Sequence, residues 1–160
     1  MDFAAAQARL REASDAILTG VAAALPTWFE GRVSFIADAW DRLDAEARAA
    51  LDAAARDAAV ATTARVTDAL RVLFHTEASA QRTTPLEIVR TAAVDVAEVL
   101  RSAGIPPVER DAFDERAFPD DAYGVTPSSL SDLGDDDLGP LQLAWGLAKA
   151  RLLRADAEGS

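Results

Sequence analysis

Phe29, Val33, Ile36, Trp40 and Leu43 recur at steps of four, three, four and three residues. Apolar side chains at that spacing share one face of an α-helix, because each residue turns about 100° around the axis. These five fall within about 80° of the circumference. Trp28 and Phe35 lie to one side and widen the apolar face, while Glu30, Ser34, Asp38 and Asp41 take the other. A helix over 27–43 that is apolar around half its surface belongs at the centre of a helical bundle. The competing reading is that Trp28 and Phe35 form an exposed stripe for a partner.

The same period runs through most of the chain. Leu10, Ala13, Ile17, Val21 and Ala24 predict a helix over about 2–24, which Pro26 should end or sharply bend. Asp44 is a candidate N-cap. Beyond it Leu51, Ala55, Ala58, Thr62, Val66, Leu70 and Leu73 hold one face, with no strong breaker until about Arg82. One helix over 45–81 would be about 55 Å long. That exceeds the width of a globule of this size, so it either breaks at Thr62-Thr63 or projects and pairs with another copy. A long helix, bent or straight, and homodimer formation through its Ala-rich surface are the expectations.

The clearest boundaries enclose the next helix, 85–103. Thr84-Pro85-Leu86-Glu87 combines a capping box with Pro at the first helical position. Gly104, Ile105 and Pro106-Pro107 supply a left-handed terminator, a hydrophobic latch and a stop. Residues 104–139 are rich in Pro and Asp, with aromatics at Phe113, Phe118 and Tyr123. A structureless stretch of that length does not suit a compact domain, so short helices are expected near 108–117 and 127–133. A last helix over about 140–156 follows, with Leu141, Trp145, Ala148 and Leu152 on one face, and a tail at 157–160 that frays. The fold class is therefore all-α. It is a bundle of four to five main helices in a single domain over 1–156, with 1–103 as the main bundle. No internal repeat and no β-hairpin signal interrupts it.

Composition agrees. Of 160 residues 37 are Ala, the strongest helix former, and half the chain is hydrophobic, which is enough for a core. There is no Cys, hence no disulfide framework or thiolate chemistry. No apolar run approaches the about 18 residues that would span a bilayer, and the first residues lack the pattern of a signal peptide. A soluble, cytoplasmic protein is the expectation. The formal net charge of −11 is uneven: residues 1–107 carry −4, residues 108–139 carry −8 and residues 140–160 carry +1. Nucleic acid and anionic membranes are excluded as partners, because both require a cationic footprint.

No catalytic or cofactor-binding constellation is legible. His75 is the only histidine and sits beside the Leu70/Leu73 face, where a structural role is the expectation. Asp132, Asp135, Asp136 and Asp137 precede Gly139, but a calcium loop needs Gly sixth and Glu twelfth. From Asp135 those positions are Pro140 and Gly146. The Asp run reads as a solvated linker. No Glu-x-x-His pair, Gly-rich phosphate loop or nucleophile elbow is present, so neither a metal nor a cofactor is expected. The remaining candidate is Arg116-Ala-Phe-Pro-Asp-Asp-Ala-Tyr-Gly-Val-Thr-Pro127. Its aromatics Phe118 and Tyr123 flank Asp120 and Asp121. Either the aromatics pin a long connection onto the bundle, or the four residues form a docking surface for a basic partner.

That stretch, together with Ala144-Trp-Gly-Leu-Ala-Lys-Ala150, resembles the C-terminal third of small helical proteins from actinobacteria. The similarity covers about 84–150 and implies an all-helical fold, with no activity to carry over. Three functions stay open. The leading one is a non-enzymatic interaction or regulatory protein that works through 108–139. The second is a small-molecule-binding or enzymatic bundle with a pocket lined by Trp28, Phe29, Trp40 and Trp145. The third is an acidic nucleic-acid mimic that occupies a basic site on another protein.

Overall fold

The computed structural model describes residues 2–159. Among them the chain is an all-α bundle with no strand, built on four long helices. In chain order the helices are α1 (Phe3–Ala39), α2 (Ala45–His75), α3 (Pro85–Arg90), α4 (Ala92–Ser102), α5 (Ala112–Ala117) and α6 (Leu138–Gly159). Single 3₁₀ turns lie at Ala78–Ala80 and Leu130–Leu133.

The two segments expected on either side of Pro26 are one helix of 37 residues, about 55 Å long. Pro26 withholds one donor from the carbonyl of Ala22 and disfavours helix interior by about 3 kcal/mol. Two facts offset this. Ala22 and Ala23 are exposed, so water can replace the missing donor. Leu25, Trp28 and Phe29, immediately before and after the proline, are buried, and fully burying such side chains contributes about 1.5–3 kcal/mol each. Packing overrides the local breaker. Pro26→Ala should then raise the unfolding free energy by about 1–3 kcal/mol, read from the urea midpoint at constant slope. A lower midpoint would mean that contacts of the pyrrolidine ring outweigh the lost hydrogen bond.

The short connection 40–44 turns the chain back, so α1 and α2 form an antiparallel hairpin. Asp44 caps α2 by accepting from the Ala47 amide at 2.7 Å. Arg48 fastens the turn, donating to Asp38 at 2.6 Å, Asp52 at 3.0 Å and the Ser34 hydroxyl at 2.9 Å. Thr62-Thr63 does not break α2. The Thr63 hydroxyl donates to its own helix at the Ala59 carbonyl, while Thr62 donates across to Asp95 on α4 at 2.7 Å. The helix stops at His75, short of the expected 81, where the Thr76 amide and hydroxyl both turn back onto the Val72 carbonyl.

The expected helix 85–103 is present but hitched at Thr91, which separates α3 from α4. The Thr91 hydroxyl donates to the Ile88 carbonyl at 2.6 Å, and Arg65 of α2 donates to the Thr91 hydroxyl at 3.0 Å. A side chain that competes for the ladder in this way locally tightens a helix. The capping box at Thr84 and Glu87 is formed. Thr83 and the Thr84 amide, both donating to Glu87, hold its carboxyl below the usual carboxylate range. At the far end the Ile105 amide bonds the Leu100 carbonyl and the Gly104 amide bonds the Arg101 carbonyl, with Ile105 buried. That is the Schellman geometry expected there.

Each half of the hairpin receives one cover. Asp95 meets Thr62, and Val99 lies with Leu51 and Leu43, so α4 runs back along the half near the 40–44 turn. The other half is covered by α6, which starts opposite Gly20 and ends near Phe3. A Cβ on Gly20 would overlap the buried Leu138 side chain, so the glycine is what admits the start of α6. Pro140 falls in the first turn of α6, where its missing donor costs nothing. The tail expected to fray from 157 is helical as far as Gly159, and Ser160 lies outside the described residues. One contiguous cluster of buried side chains joins α1, α2, α4, the connection and α6.

Candidate functional site

The connection between α4 and α6 carries the acidic excess, and it is tied down by bonds spanning many residues. Behind the Gly104 cap the Ile105 carbonyl accepts from the Tyr123 hydroxyl at 2.6 Å, and the Val108 amide donates to the Ala122 carbonyl at 3.2 Å. Within that closed loop sits α5, capped by Asp111, whose carboxylate accepts from the Asp114 amide at 2.8 Å. Arg110 closes the far side on the Phe118 carbonyl at 2.7 Å. The chain then turns through Asp121–Gly124, and the Asp121 carboxylate accepts from the Val125 and Thr126 amides at 2.8 and 2.5 Å. Burial pushes the Tyr123 phenol up from its ordinary value, which keeps the hydroxyl a neutral donor at physiological pH.

A second set of ties holds the connection to α3. The Arg90 guanidinium donates to the Pro127 and Ser128 carbonyls, both at 3.1 Å, and lies over the Phe118 ring at 5.5 Å from its centroid. Asp132 gathers three donors: the Ser128 amide and hydroxyl at 2.7 Å and the Ser129 amide at 3.0 Å. The Ser128 hydroxyl is the main reason its carboxyl is held below the ordinary aspartate value, with the two amides adding to the effect. A depressed folded value means stability that is present above the unfolded value and lost as pH falls through the folded one. Asp132→Asn should therefore cost about 1 kcal/mol at pH 7. The gap between wild type and variant should close as pH drops below about 4, which chemical denaturation at a series of pH values would show.

The four residues expected to share a docking surface are divided by the fold. Tyr123 is 1% exposed and Asp121 is 4% exposed, so both face inward as fasteners of the connection. This corrects the expectation for Tyr123, which lies away from the surface with its hydroxyl on Ile105, while Asp121 borders the same groove as Phe118 and Asp120 with its carboxylate held by the Val125 and Thr126 amides. Phe118, half-buried, and Asp120, exposed, line a groove of about 220 Å³ between the α3–α4 rod and the connection. Glu87, Val94, Ala117 and Pro119 complete its walls. Phe113 stands 67% exposed on α5, one turn before Ala117 and on the same face. Sequence reasoning missed Val94 and Arg90, since nothing local in 85–103 marks which side the connection will cover. The result is an apolar floor rimmed by the Asp120 and Glu87 carboxylates, with the Arg90 guanidinium over Phe118 at one wall.

The remaining candidates are placed as follows. Trp28, Phe29 and Trp145 are packed in the core, while Trp40 lies half-buried at the 40–44 turn. The Trp145 ring meets Phe74 at 6.2 Å between centroids. Trp28 is therefore buried and Phe35, at 67%, exposed, so the two do not form one exposed stripe. His75 closes α2 with its Nδ1 at 2.7 Å from the Arg71 carbonyl. Of the Asp run, Asp135 accepts from the Asp137 amide at 3.0 Å, and Asp135, Asp136 and Asp137 are all exposed. Among the described residues no three His, Cys, Asp or Glu side chains converge as metal ligands would, and no helix is long and apolar enough to cross a membrane. No protein-family model matches the chain, and neither a curated protein nor a solved structure matches it.

Proposed function

We propose that this is a non-enzymatic interaction protein that docks a basic segment of another protein in the groove beside α3 and α4. One observation carries the reading. Phe118 and Asp120 are presented at a groove in the most acidic part of the chain, while the adjacent Asp121 and Tyr123 are spent on holding that surface still. A preordered surface loses little entropy on binding, and the local charge of −8 over residues 108–139 speeds encounter with a cationic partner. Specificity would come from an apolar anchor against Phe118, Pro119 and Val94, with cations toward Asp120 and Glu87.

The test is affinity capture from lysate of the source cell, with the full chain as bait. At 50 mM salt the wild type should retain a partner whose bound segment is basic. Retention should fall at least tenfold at 500 mM salt, since exposed charges are screened beyond about 10 Å at 0.1 M and more closely above it. Phe113→Ala combined with Asp120→Asn should fall at least tenfold at low salt. Leu143→Ser, on the exposed face of α6, should retain the partner fully. Equal capture by the wild type and the double variant would rule the groove out.

A further inference from the structure

We propose that a second site, at the open end of the α1–α2 hairpin, binds a small organic amine with an apolar arm. The cleft there has a volume of about 320 Å³ and lies between the first half of α1, the end of α2 and Leu152 of α6. It is independent of the groove beside α3 and α4. Gln7, Leu10, Arg11, Ser14 and Asp15 step by three, one, three and one, so a single face of α1 forms one wall. Phe74, His75 and Glu77 at the end of α2 form the other.

Ser14 is the observation that marks this cleft as a site. Its side chain is 4% exposed, it lines the cleft, and its hydroxyl has no hydrogen-bond partner among the described residues. What little of the side chain is exposed opens to the cleft rather than being sealed in the core, whereas helix hydroxyls elsewhere in this chain turn back onto a carbonyl, as Thr63 and Thr67 do. The Ser14 oxygen is thus available at the floor to a group that enters the cleft. His75 stands at the same wall, its Nδ1 2.7 Å from the Arg71 carbonyl.

Charge selects the ligand. Asp15, Glu77 and Arg11 form no ion pair among the described residues, so the cleft holds two uncommitted carboxylates against one guanidinium. A neighbouring depression shares Gln7, Glu77 and Leu152 and adds Asp156 and Phe3, which extends both the negative rim and the apolar floor. An ammonium there would give its three protons to Asp15, Glu77 and the Ser14 hydroxyl oxygen. The apolar arm would then rest on Leu10, Phe74 and Leu152. A carboxylate of the same size would meet two like charges and is rejected.

The lone imidazole makes the experiment direct. Nuclear magnetic resonance follows the His75 ring and the indole of Trp145, which packs on Phe74, with the indole of Trp40 as the distant control. The probes are 2-phenylethylamine and 3-phenylpropionate. The amine should move the His75 and Trp145 signals saturably, with a dissociation constant below about 1 mM, and leave Trp40 in place. The carboxylate should bind at least tenfold more weakly. Asp15→Asn with Glu77→Gln, both exposed positions, should weaken the amine at least tenfold, and Ser14→Ala at least threefold, with the Trp40 signal reporting an intact fold. Equal affinity for the two probes, shifts that never saturate, or undiminished binding by the double variant would overturn the site.

Discussion

Phe29→Ala should lower the unfolding free energy by about 3–5 kcal/mol, a cost typical of truncating a buried aromatic side chain. Phe29 has no exposure at all and belongs to the cluster that joins α1 to α2, α4 and the connection. The loss combines the transfer of the ring with the cavity left behind. Relaxation should be limited, because α1 is gripped on both sides of the site by α2, α4 and α6. Phe29→Leu keeps most of the volume and should cost about 1.5 kcal/mol or less. Urea denaturation gives both values, and the melting temperature of Phe29→Ala should fall by about 10 °C. A loss below about 1 kcal/mol for the alanine variant would mean that Phe29 is not in the centre of the core.

Asp121→Ala should cost about 2–4 kcal/mol, because it strips the acceptor from two amides at once and leaves them unpaired. The Val125 amide and the Asp121 side chain are both buried, so water does not readily replace the lost bonds. The damage should be local. Hydrogen exchange at the Val125 and Thr126 amides should accelerate about a hundredfold, while amides in the middle of α2 keep their protection. Asp121→Asn retains one acceptor oxygen and should lie between the two. Because the turn at 121–124 positions Phe118 and Asp120, the alanine variant should also weaken partner capture even though Asp121 itself faces inward. Exchange unchanged at those two amides would show that the turn stands without its carboxylate.

The parts of the molecule legible from sequence share one property. Their chemistry closes within a few residues. Asp44 reaches an amide three positions on, Thr84 and Glu87 satisfy each other, and Gly104 with Ile105 returns to carbonyls three and five positions back. Each can be recognised without knowledge of the rest of the chain. The apolar period of α1, α2, α4 and α6 is likewise a local record of which face will be covered. Of the four residues singled out on the acidic connection, Phe118 and Asp120 line a groove.

What escaped depends on distant neighbours. Pro26 reads as a breaker until Leu25, Trp28 and Phe29 are seen to be buried on either side of it. Thr91 reads as ordinary helix until Arg65 arrives from α2. Tyr123 and Asp121 look like surface chemistry in the linear chain, yet the Ile105 carbonyl and two downstream amides draw them inward. Ser14 is one more small residue on α1 until the end of α2 closes over it.

The sequence by itself determined that this chain is helical, where most of its helices begin, and which faces they bury, because backbone propensity, capping and apolar period act over a turn or two. Only the tertiary structure decided that α1 runs through its proline, that two of four candidate residues are fasteners, and that a groove and a cleft exist. Those outcomes are set by burial and by bonds between residues far apart in the chain, whose free energy exceeds any local preference.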